Sequence, residues 1–176
     1  MHTRTQMHEA DELRAALDGL DDQVMRYGRA VETATLARAA GYFVPSMHDD
    51  GAGIARGAGR LADRAAGAES RDHDRARALR KVAGHLHELD LALAEHGTSD
   101  EALGVVAKAL GAALDVFARP DVSGLARLQD RVDLLLDHVE QHPRLRRMAL
   151  HLMGIGTAAE FAWANHPHPR RATAIR

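Results

Sequence analysis

The chain has twelve histidines among 176 residues and no cysteine. Thiolate metal sites, disulfides and cysteine nucleophiles are therefore excluded, and any metal chemistry must use imidazoles and carboxylates. His138 and His142 stand four residues apart, the spacing that presents two imidazoles on one helical face to one ion. If the chain turns back at Pro143, His151 on the returning helix comes to a similar level, and His138, His142 and His151 are expected to meet near the turn. Pro143 works against this, because it biases His142 away from helical geometry. The competing reading is that these histidines are solvated or cap helices. His85, His87 and Glu88 form a second group. His85 lies beside an apolar stripe and His87 points away from it, so one helix cannot aim both at one ion. His85 with Glu88 is half of a di-metal bundle motif written in reverse, and such bundles need two copies plus two further inward carboxylates. The apolar stripe of the first helix supplies neither Glu nor His.

The segment LLLDHVEQHPRLRR, residues 134–147, resembles the last-helix pattern of DinB-like metal-binding four-helix bundles. The resemblance implies one upstream histidine and two late ones as ligands, here His48, His138 and His142. Pro143 and Leu145 interrupt the pattern after the second late histidine, and the match spans too little of the chain to assign the family.

Arg56, Arg60, Arg64 and Arg71 line up along one helix edge, where they could meet phosphates. Asp63, Glu69, Asp72 and Asp74 are interleaved, so a solvated or internally paired face is the simpler expectation. The glycine-rich GAGIARGAGR, residues 51–60, lacks the Lys-Ser/Thr and the preceding strand of a phosphate loop. Ser46, Ser70 and Ser123 read as helix caps, which leaves little for a Ser-His-Asp site.

These residues must be positioned by helices. Leu13, Leu17, Leu20, Val24, Tyr27, Val31 and Ala34 alternate at spacings of four and three and predict a helix over about residues 9–40, ended by Gly41. The first six also form the candidate interaction seam. Arg38 falls at the seam's end, with its stem along the seam and its head in water. A second stripe runs from Ile54 to Leu93 in unbroken phase, polar only at Asp72 and Arg75. It fits one long helix or two broken near Gly67–Ser70, and the Gly-Ala-Glu-Ser composition favours the break. Gly97 ends that stretch, and Thr98 with Glu101 suggests a capping box for the next helix. Ser123 opens a helix carrying Leu125 to Val139, and a last helix follows Pro143.

Only 3% of residues are aromatic, against 45% hydrophobic, so an Ala- and Leu-rich core argues against sheet structure. The expected fold is all-α: an antiparallel bundle of five or six helices with long heptad-like, coiled-coil-type seams over residues 9–165. Residues 1–8 are expected to be a mobile N-terminus and 166–176 a mobile basic tail. Charge is uneven: residues 84–101 carry five acidic groups and no Lys or Arg, whereas residues 56–81 carry eight basic and four acidic. No stretch approaches the length of a membrane span, and the missing cysteines suit a cytoplasmic location. No complete catalytic constellation is present. The expected function is a non-catalytic binding or regulatory module, without a cofactor, acting through helix–helix contacts with itself or a protein partner. The alternatives are a metal-binding bundle or metal-dependent enzyme, using a divalent transition metal such as zinc on His138, His142 and one of His48, His85 or His151, and DNA association through the arginine edge.

Overall fold

A computed structural model describes residues 2–98, 100–119 and 121–163. Six α-helices follow one another: α1 (His2–Ala39), α2 (His48–Arg64), α3 (Ser70–His96), α4 (Glu101–Ala118), α5 (Val122–Leu136) and α6 (Arg144–Trp163). One 3₁₀ turn, Ala65–Gly67, separates α2 from α3. No strand occurs among the described residues. Helices α1, α3, α6 and α4 form a square in which each packs on two neighbours, α1 and α6 each touching both α3 and α4. Helix α2 lies against the α1–α3 edge and α5 against the α4–α6 edge. All seven residues of the first stripe are buried, and the six from Leu13 to Val31 belong to one core shared with α3, α4 and α6. Helices α1 and α4 approach closely at Gly28, where a Cβ would run into the Leu114 side chain of α4.

Local chemistry sets the ends. Gly41, at φ 95°, lets the Tyr42 N–H reach Ala37 O (3.0 Å) and the Gly41 N–H reach Arg38 O (2.9 Å), the paired bonds of a Schellman stop. The expected break in the second stripe is present: α2 ends at Arg64 and α3 begins at Ser70. Several expected details differ. Helix α1 begins at His2, so residues expected to precede the helix form its first turns, in which residues 3–8 are exposed. Ser46, Ser70 and Ser123 cap nothing: the residues before α2, α3 and α5 are Met47, Glu69 and Asp121, and only Asp121 caps with its side chain. The Thr98 capping box does not form, because Asp100 occupies that position and accepts from the Ala102 N–H. Helix α5 stops at Leu136, where i to i+3 bonds from His138 and Val139 tighten the chain into a turn. The tail expected at 166–176 lies outside the described residues.

The charged interruptions of both stripes are buried and paired. Arg38 does not reach water. It is 1% exposed, and its guanidinium donates to Val44 O and Pro45 O, fastening the connector to the end of α1. Asp72 accepts from Arg14 at 3.2 Å, and Arg75 pairs with Asp18 at 2.7 Å and Asp21 at 3.5 Å. The polar middle of the second stripe therefore faces complementary charges on α1. No helix of the described residues is long and apolar enough to cross a membrane.

Candidate metal centre

Helix α3 ends at His96 because Gly97 takes φ 94° and turns the chain out of the helix. The next helix needs a cap, and Asp100 supplies it: its Oδ1 accepts from the Ala102 N–H at 2.9 Å. That bond aims Oδ2 back toward the end of α3, where it accepts from His96 Nε2 at 2.7 Å. The α5–α6 turn delivers a third side chain. His142 is held by its own N–H to His138 O and by Leu145 N–H to its carbonyl, and its Nε2 lies 3.3 Å from the same Asp100 oxygen. The two imidazoles meet edge to face with centroids 5.4 Å apart. Arg144 adds a bond to Glu95 O at 3.4 Å, so the turn is tied to the end of α3 from both sides.

One ligand atom from each of His96, Asp100 and His142 lies within 4.8 Å of the others. Two imidazole nitrogens and one carboxylate oxygen are a borderline donor set suited to a divalent transition ion, and three ligands leave a coordination position open. The side chain of His96 is 6% exposed and that of His142 40%, so the cluster is anchored at one end and reachable at the other. Partial burial pushes the Asp100 carboxyl up. The His96 hydrogen bond, the Ala102 N–H and the charges of His142 and His96 outweigh it and hold Asp100 below the usual carboxylate range. Asp100 is thus an anion ready to ligate at any pH near neutral.

Two further imidazole pairs join α3 to its neighbours. His85 Nδ1 lies 3.0 Å from His151 Nδ1 of α6, and the His85 ring sits on the backbone at Gly154, where a Cβ would strike it. His87 Nε2 lies 3.0 Å from His48 Nδ1 of α2, with the rings stacked. Burial lowers the affinity of His85 for a proton, and the charges of His151 and Lys81 lower it further. Burial also leads for His151, opposed by Glu88 and reinforced by Arg147.

The structure redistributes the predicted site. His138, His142 and His151 do not converge: His142 joins His96, His151 joins His85, and His138 belongs to none of the three pairs. The i,i+4 argument fails because α5 ends before His138. The set His48, His138 and His142 implied by the DinB-like resemblance is likewise split, since His48 pairs with His87. His85 and His87 diverge as expected, and Glu88 reaches Arg147. Arg56, Arg60 and Arg64 are exposed on α2, but the 3₁₀ turn puts Arg71 on a different helix and breaks the arginine edge. The seam residues Leu13, Leu17, Leu20, Val24, Tyr27 and Val31 are covered by the chain's own helices. His96 and Asp100 escaped the sequence reading, because giving the cap to Thr98 removed Asp100 from view. The usable signal was a histidine four residues before an aspartate, separated by a helix-ending glycine.

A buried polar knot lies elsewhere in the core. Asp90, fully buried, accepts from Tyr27 Oη and from the Met47 N–H, each at 2.9 Å, tying α1, α3 and the residue before α2 together. No protein-family model, curated protein or solved structure matches this chain.

Proposed function

We propose that this chain is a non-catalytic helical-bundle protein that binds a divalent transition metal, best matched by zinc, through His96 Nε2, Asp100 Oδ2 and His142 Nε2. The observation that carries the reading is that these three atoms, brought from the end of α3, the start of α4 and the α5–α6 turn, lie within 4.8 Å of one another. An ion there ties the end of α3 to the start of α4 and to the α5–α6 turn. It stabilises the folded chain by mass action, about 2.7 kcal/mol at a free metal concentration one hundred times its dissociation constant. Untagged protein dialysed against zinc and then buffer should retain one equivalent by elemental analysis. His142→Gln and Asp100→Asn should lose it, while His138→Gln keeps it. Absence of stoichiometric metal in the wild type, or equal loss in His138→Gln, refutes the reading.

A second reading, helix-mediated association with itself or with a protein partner, is favoured by Tyr42 and Phe43, adjacent side chains 69% and 84% exposed. Both lie in the connector after α1, in a chain with few aromatics. With the α1 seam covered internally, these residues offer the apolar contact in its place. Sedimentation of the wild type and of Tyr42→Ser/Phe43→Ser tests it: association is expected to vanish in the variant.

A further inference from the structure

The outward crown of α3 carries an unneutralised positive site. Arg77, Arg80 and Lys81 fall at i, i+3 and i+4 on one face, and none makes an ion pair among the described residues. They border a shallow, open cleft of about 590 Å³. Gly84 continues the same face and lines the cleft, and a Cβ there would meet nothing within 4 Å. A glycine in a helix interior costs about 1 kcal/mol relative to alanine. At Gly28, Gly154 and Gly156 a neighbouring side chain occupies the Cβ position; Gly84, like Gly19, Gly53, Gly59 and Gly104, has no such neighbour, and of these open glycines it is the one that lines this depression. It leaves helix backbone open beneath the three cations.

The walls of the cleft are also defined. On one side His85 reaches across to His151, and on the other His87 reaches to His48. The one carboxylate on the rim, Glu88, is engaged by Arg147 at 3.4 Å. The positive stretch stops at Lys81, because residues 84–101 hold five acidic groups and no Lys or Arg. The cationic track is therefore about one helical turn long. That suits a compact anion of high charge and is too short to follow a polynucleotide backbone.

We propose that the crown of α3 is a binding site for a small, multiply charged phosphate-class anion, seated over Gly84 and gripped by Arg77, Arg80 and Lys81 between the two imidazole pairs. The site shares no residue with the His96–Asp100–His142 cluster, so either can fail without the other.

The probe is inorganic pyrophosphate, titrated calorimetrically into the full chain at low salt in buffer freed of metals. Gly84→Glu is the decisive variant: it replaces a poor helix former with a good one, and it fills the seat with negative charge. Gly59→Glu makes the same charge change on α2, beside Arg56 and Arg60, where a Cβ also meets nothing within 4 Å. The wild type should bind one pyrophosphate, Gly84→Glu at least tenfold more weakly, and Gly59→Glu within twofold of the wild type. Circular dichroism should show both variants folded. No saturable binding by the wild type overturns the proposal, as does equal weakening by the two variants, which would mark diffuse charge attraction. A DNA duplex held more tightly than pyrophosphate and weakened alike by both variants also overturns it, in favour of a nucleic-acid surface.

Discussion

Replacing Tyr27 with Phe deletes one oxygen from the core and leaves the ring in place. Tyr27 is 5% exposed and Asp90 is fully buried, so the hydroxyl and the carboxylate have each other in place of water. Asp90 Oδ2 takes both of its bonds, from Tyr27 Oη and from the Met47 N–H, while Oδ1 is buried without a hydrogen-bond partner. The substitution halves the hydrogen bonding of a buried anion and opens no cavity, so the polar term stands alone. A hydrogen bond to a charged group contributes about 1.5–3 kcal/mol. We expect a loss of about 2 kcal/mol, read by urea unfolding, and a melting temperature lower by about 4–8 °C for a domain of this size. Burial, then the charge of Asp90, pushes the Tyr27 hydroxyl far above the usual tyrosine range, so it stays protonated. The loss should therefore be the same at pH 6 and pH 9. Tyr42→Phe, at a ring 69% exposed, should change stability by less than about 0.5 kcal/mol. A Tyr27→Phe loss no larger than that of Tyr42→Phe would refute the idea that this bond ties α1 to α3.

Two other perturbations test the packing of α1 and the imidazole pair of α6. Val24 is fully buried in the middle of the first stripe, so Val24→Asp should cost several kcal/mol through an unpaired buried charge, and melting within a degree or two of wild type would contradict that register. His85 and His151 both bind protons less readily in the folded chain than the ordinary value of 6.5. The unfolded chain then takes up protons first, so their contribution is fully present above about pH 6.5 and is lost as pH falls below it. Metal-free protein should melt lower at pH 5.5 than at pH 7.5, and His85→Gln/His151→Gln should show a smaller drop; equal drops would exclude the pair as the source.

Periodicity placed the helices, because a helix that must bury one face writes that face into its sequence. The seven stripe residues of α1 are all buried, and the break between Arg64 and Ser70 falls at the Gly-Ala-Glu-Ser stretch. Gly41 and Gly97 ended their helices as read, since few residues other than glycine adopt the positive φ such stops require. What periodicity could not report is which polar groups meet across helices. Arg38, Asp72 and Arg75 look like faults in an apolar stripe until their partners are in place: connector carbonyls for Arg38, the Arg14 guanidinium for Asp72 and α1 carboxylates for Arg75. The same limit governs the candidate site. His142 was singled out from its spacing to His138, a relation within one helix, and its partners proved to be His96 and Asp100, more than forty residues away in the chain. A histidine-rich composition announces that imidazoles are available. Only the packing of α3 against α2, α6 and the α5–α6 turn decides which of them face one another, because that choice depends on helix rotation and end position in three dimensions.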